Sequence, residues 1–193
     1  MKNKLYDIKK YINYKIDVLE FYSYLSSINQ HFKKQDGSGL LSGSIIEMFI
    51  EEYLKKKLNY EKFNNKQNDC KINNHELSIK KISGKTKIAL KWSKNKNKEK
   101  ISEFSDIMLI NIPDKTIWWK KLFGLSEEIP AGIFFISKDV ISKIKLISNN
   151  KSDYIISEKV LYNLLQESMK NKLFIEFPKE IKKYTYKLEH TFI

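Results

Sequence analysis

Apolar and polar residues alternate strictly on either side of a short turn in the middle of this chain. Leu77 and Ile79 interleave with Glu76, Ser78 and Lys80. After Ser83-Gly84-Lys85, residues Ile88, Leu90 and Trp92 interleave with Lys87, Ala89, Lys91 and Ser93. Period-two patterning flanking a glycine predicts a β-hairpin with one apolar and one polar face. The apolar face can pack on a core. The polar face holds a carboxylate and several lysines.

Other patterns place the remaining elements. Ile12, Ile16, Leu19, Phe21, Tyr22 and Leu25 recur at near-helical spacing, predicting a packing helix from about Ile8 to Phe32. Lysines on its outer face are available to a phosphate backbone or a partner. Asp36 to Gly39 reads as a loop. Ser42 or Ser44 can cap a helix running to about Leu58, with Glu47 three residues after Ser44 as in a capping box. Glu47 and Glu51 then share a face. Glu47 is either a cap and surface residue or an accessory carboxylate. Tyr60 to Asn68 is polar and reads as a loop. A strong strand is expected at Asp106–Ile110, followed by a turn at Pro113–Thr116. Ala131 to Ser137 is almost continuously apolar, as in a central strand covered on both faces. Val140 to Ile147 predicts a short helix and an edge strand. Glu158 to Met169 has a clear apolar stripe, with Ser157 as cap. Leu173 to Phe177 is a short strand closed by Pro178, and Tyr184, Tyr186 and Leu188 alternate as in an edge strand. This order predicts an α/β fold, a mixed central β-sheet flanked by helices, in one domain over 1–193.

Charge changes the picture. The chain has 36 basic residues, all lysine, against 23 acidic ones, for a formal net charge of +13. Such a field favours a polyanionic partner, although abundant Lys, Asn and Ile are also a compositional bias. Cys70 is the single cysteine, and His31, His75 and His190 are scattered, so cysteine–histidine zinc spacing is absent. A magnesium site would use carboxylates. The first residues lack a signal-peptide core, and no apolar run is long enough to span a bilayer, so a cytoplasmic location without membrane association is expected.

A carboxylate and lysines on one strand face of a basic protein point to phosphodiester hydrolysis. That reaction needs stabilised charge on the phosphate, an activated water and an accommodated leaving oxygen. Asp69 and Glu76 are the candidate Mg²⁺ ligands, with Lys80 or Lys91 on the phosphate and water, and Glu47 as an accessory. Asp106 is a reserve carboxylate. The alternative is that Glu76 and the lysines form only a solvated face. For DNA binding the candidates are Lys94, Asn95 and Lys96, in a run that is either a solvated tip or a phosphate-contacting loop. Trp118, Trp119, Lys120 and Lys121 join two rings to two ammonium groups, with one Trp equally suited to the core. Asn149, Asn150 and Lys151 lie in a polar loop that can read base edges or serve as a surface turn.

An acidic helix ahead of a hairpin, then an acid, then an x-Lys element, resembles the PD-(D/E)xK nuclease superfamily over Ser44 to Ile112. In one register Asp69 matches the first acid and Ser78-Ile79-Lys80 the D/E-x-K tripeptide. In the other, Glu76 matches the acid and Ala89-Leu90-Lys91 the tripeptide. Ser78 and Ala89 each stand where that motif has an acid. The resemblance implies a restriction-endonuclease-like fold, with an amino-terminal helical region over 1–43 and a catalytic core over 44–112. Residues 113–193 would complete the sheet and recognise the target. It further implies a type II restriction endonuclease, a homodimer making Mg²⁺-dependent double-strand cuts in DNA beside a restriction-modification system. A DNA-binding protein without catalysis and an RNA-processing nuclease are the competing expectations.

Overall fold

The amino-terminal apolar run folds as two helices, α1 (Lys4–Lys15) and α2 (Val18–Gln35), rather than the single expected one. The reason is Asp17. Its Oδ1 accepts from the N–H groups of Leu19 at 2.9 Å and Glu20 at 3.0 Å, satisfying donors that a helix start leaves open. Asp17 and Glu20 have capping-box spacing. Apolar periodicity hides the break because Ile12, Ile16 and Phe21 all enter one core. A computed structural model describes residues 4–35, 41–63, 70–83, 90–93, 105–112, 129–144, 147–150, 153–156 and 158–178.

Helix α3 (Leu41–Lys57) starts ahead of both expected caps, Ser42 and Ser44. The strands are β1 (Tyr60–Lys62), β2 (Cys70–Ile72), β3 (His75–Ser83), β4 (Leu90–Ser93), β5 (Asp106–Ile112) and β6 (Gly132–Ile136). Then come α4 (Lys138–Ile141), β7 (Ile147–Asn150), β8 (Asp153–Ile156), α5 (Glu158–Lys170) and β9 (Phe174–Glu176). Six strands form a mixed, mostly antiparallel sheet in the order β1-β2-β3-β5-β6-β9, and β4-β8-β7 form a second sheet. Among the described strands, β3 and β5 are the one parallel pair. A mixed sheet flanked by helices is therefore present, and β1 occupies part of the stretch expected as a loop.

The expected hairpin does not form. Strand β3 pairs with β2 on one side and β5 on the other, while β4 pairs with β8 in the second sheet. The hairpin partner is upstream, joined through Asn73 and Asn74, whose φ values are 47° and 65°. Two consecutive left-handed residues match the primed turn that suits the twist of a two-residue hairpin, and Asn tolerates that region. Alternation on both sides of Gly84 identified two strands but not their partners.

Parity along β3, β5 and β6 divides the core. Leu77, Ile79, Met108, Ile110, Ile133 and Phe135 face one way, packing with α1, α2 and α3. Ile82, Ile107, Leu109, Phe134 and Ile136 face the other way, under α4 and α5. Strand β6 is buried at every position, as its continuous apolar run predicts. On the first face Phe177 stacks on Tyr22 at 4.6 Å, and its N–H donates to the Ala131 carbonyl at 3.0 Å. Burial pushes the Tyr22 hydroxyl pKa up, with a hydrogen bond from Ser26 opposing it.

Gly132 lets β9 close onto β6. A Cβ there would collide with the Ile175 carbonyl oxygen and the Phe174 ring. Gly132→Ala is expected to lower unfolding free energy by about 1–3 kcal/mol, as overpacking in a core does. Urea denaturation checks it. An unchanged midpoint would mean that β9 moves aside freely.

Candidate functional site

Strand β3 carries the residues of interest because its two faces differ. Leu77 and Ile79 enter the helix-covered core, so Glu76, Ser78 and Lys80 project to the opposite face. Successive members of this row are separated by about 7 Å, two residues of strand rise. Glu76 is exposed, Ser78 is buried and Lys80 is half-buried. Across β2 and β1 the same face continues, since Lys71 pairs in register with Glu76 and with Glu61. Lys71 Nζ stands 3.7 Å from Glu61 Oε2. In the other direction the face turns apolar at Ile82, Ile107 and Leu109, the cluster that α5 covers. The polar row thus runs along the border between a charged half and a covered half of one sheet face.

The other expected residues are distributed as follows. Glu47 is exposed on α3, whose Ile50, Tyr53 and Leu54 pack on the first face. The sheet therefore separates it from Glu76 and Lys80. Lys91 lies on β4, paired with Ile155 in the second sheet, so it is not on a strand adjacent to Glu76. Asn149 and Asn150 belong to strand β7 rather than to a loop. Asp69, Lys94, Asn95, Lys96, Trp118, Trp119, Lys120, Lys121 and Lys151 lie outside the described residues. Cys70, which follows Asp69 in the chain, pairs with Leu77.

Asp106 is engaged elsewhere. Its Oδ2 is 2.8 Å from His75 Nε2, and its Oδ1 accepts from the Lys138 N–H at 2.7 Å. Three chain segments meet there: the starts of β3 and β5 and the turn from β6 into α4. His75 and Asp106 are 31 residues apart. No local spacing in the sequence announces their pairing.

A second charged group ties α3 to β1. Glu51 faces Lys55 at 3.1 Å and Lys62 at 3.0 Å. Burial raises the Glu51 carboxyl pKa, but hydrogen bonds and attraction from Lys62 and Lys55 outweigh it and hold the group below its ordinary value. Beside it, burial first, then Cys70 and Glu51, push the Tyr60 hydroxyl far above its ordinary range. Tyr60 stays neutral there.

Chemically, the row offers one carboxylate, one hydroxyl and one ammonium in line. Among the described residues no group of three His, Cys, Asp or Glu side chains converges. Mg²⁺ commonly takes one or two protein carboxylates and completes its shell with water and phosphate oxygens. Glu76 fits as one such ligand, and Lys80 fits a phosphate oxygen.

Two predictions concern the charged groups around the row. Asp106→Ala strips the acceptor from His75 Nε2 and from the Lys138 N–H. It should cost about 1 kcal/mol in denaturant unfolding, chiefly at the half-buried His75 ring, since the Lys138 contact is exposed. An unchanged unfolding midpoint would show that water replaces the carboxylate fully. Glu51 has a folded pKa below its ordinary 4.5, so its contribution is present above that pH and lost as pH falls through the lowered value. Glu51→Gln should therefore melt lower than the parent at neutral pH, with the gap closing as pH drops below 4.5. A gap independent of pH would contradict this.

The chain matches no protein-family model, no curated protein and no solved structure, and the roles of these residues therefore follow from chemistry and placement alone.

Proposed function

We propose that this chain is a Mg²⁺-dependent, sequence-specific DNA endonuclease of the type II restriction class, acting as a homodimer on double-stranded DNA. The observation that carries the proposal is the row Glu76–Ser78–Lys80 on one face of β3. It supports the Ser78-Ile79-Lys80 register, because Lys80 shares a strand face with a carboxylate whereas Lys91 sits in another sheet. The mixed sheet with helices on both faces is compatible with a restriction-endonuclease-like core. The lysine excess supplies the field that draws a polyanion.

In this reading Glu76 is a ligand to the divalent ion, with Asp69 as its partner. The ion would stabilise charge on the scissile phosphate. Lys80 holds a non-bridging phosphate oxygen and favours the ionised form of a nearby water. Half-burial strengthens that interaction by thinning the intervening solvent. Ser78 is the buried hydroxyl between the two charged groups on that face. One observation favours a second reading: Ser78 stands where the tripeptide of the PD-(D/E)xK superfamily has an acid. A DNA-binding protein that retains the scaffold without cutting accounts for that difference directly.

Unmethylated phage DNA incubated with Mg²⁺, and in parallel with EDTA, separates the readings. Discrete fragments with Mg²⁺ alone are expected. Glu76→Ala and Lys80→Ala should each slow cutting by on the order of 100-fold or more with DNA binding largely retained, as loss of one transition-state contact does. Lys91→Ala should cut nearly normally. Intact DNA under both conditions, with retarded mobility, would sink the endonuclease and leave the binding protein.

A further inference from the structure

Among the described residues, the lysines of the amino-terminal half differ in what their ammonium groups face. Those on α3, β1 and β2 are paired with carboxylates: Lys55 and Lys62 share Glu51, while Lys56 meets Glu52, Lys57 meets Glu20 and Lys71 meets Glu61. Lys9, Lys10 and Lys15 of α1 face tyrosine rings instead. Lys10 Nζ lies 4.7 Å from the centre of the Tyr6 ring and Lys9 Nζ 6.0 Å from it, while Lys15 Nζ lies 5.5 Å from the Tyr14 ring. None of the three makes an ion pair among the described residues. Tyr14 is 83% exposed, more than any other large hydrophobic side chain among the described residues. The only acid of α1 is Asp7, in the first turn, where it complements the helix dipole.

From this contrast we infer that the outer ridge of α1 is a docking surface for the phosphate backbone of duplex DNA. Cation–π stacking holds an ammonium beside a ring without cancelling its charge. Tyr6, Lys10 and Tyr14 follow one another at four-residue steps, so they form a single line along the helix. Lys9 and Lys15 leave the helix to either side, roughly 100° and 140° round from Lys10, and their ammonium groups reach back to the rings of that line. A row of uncancelled positive charges spaced along a rigid helix complements a row of phosphates. A lipid surface fits less well. Leu5, Ile8 and Ile12, the apolar side of α1, are spent on the core, and no apolar face is left to enter a bilayer.

The ridge lies on the helical layer of the first sheet face, and the Glu76–Lys80 row projects from the second. It is therefore a contact separate from the row, and it does not rest on the cleavage proposal. Its chemistry is that of affinity rather than sequence reading, since phosphates carry no base information.

The test measures binding of the whole protein to a fluorescent duplex in EDTA over a range of salt, by anisotropy. Two triple variants lose the same charge: Lys9→Gln, Lys10→Gln, Lys15→Gln on the ridge, and Lys55→Gln, Lys56→Gln, Lys57→Gln on α3. The ridge variant should bind on the order of tenfold more weakly and lower the slope of log K against log salt by about two to three, one counterion step per lost phosphate contact. The α3 variant should keep a slope near that of the parent. Tyr14→Ala should weaken binding severalfold without changing net charge. Circular dichroism establishes that each variant is folded. Equal losses in both triples would reduce the effect to net charge and overturn the inference. So would a ridge variant that binds like the parent, or ridge-dependent binding of vesicles with anionic lipid but not of DNA. A ridge defect alongside absent Mg²⁺-dependent cutting leaves the ridge standing and removes the endonuclease. Normal binding by the ridge variant alongside cutting does the reverse.

Discussion

Two-sided burial of strands β5 and β6 is the constraint on which the rest of the molecule depends. A strand hidden on both faces needs a helical layer above and below, because each apolar side chain removed from water contributes stability roughly in proportion to its area. Phe135 and Ile133 require the α1–α3 layer, and Phe134 and Ile136 require α4 and α5. Ser168 on α5 adds a polar anchor, with its Oγ 3.1 Å from the Phe135 carbonyl oxygen. Strand β3 pairs on one side of β5 and β6, and β9 on the other.

Strand β3 is where this constraint relaxes. Its first-face residues still feed the helical core. Its other face is polar at Glu76, Ser78 and Lys80, then apolar at Ile82 where the α5-covered cluster begins. A charged row at such a border is useful to chemistry, since neighbouring apolar packing holds the strand rigid while part of the row stays accessible. Parallel pairing of β3 with β5 fixes it further, and the His75–Asp106 contact locks the two strand starts together.

Charge placement follows the same division of labour. Glutamates meet lysines where α3 has to stay on β1, through Glu51 and Lys62, and where α2 meets α3, through Glu20 and Lys57. The unneutralised charge of α1 stands outside those junctions. Exposed pairs of this kind contribute little each, so their effect is to orient elements and to cancel charge locally.

Local chemistry in the chain determined much of what can be recognised from it. The continuous apolar run at Ala131–Ser137 was legible as a doubly buried strand, the stripe of Glu158–Met169 as a helix, and the alternation around Leu77 and Leu90 as strand. The alternation also put Glu76, Ser78 and Lys80 on one face. What it left open was partnership. Period two states which face a residue occupies but not which strand lies alongside, so the Asn73–Asn74 turn, the assignment of Lys91 to a different sheet and the separation of Glu47 from Glu76 were decided by tertiary structure. The Asp17 cap was present in the sequence but masked by unbroken apolar periodicity. The His75–Asp106 pair had no sequence signal at all, because two strands that meet only in the folded sheet leave no spacing rule between their residues.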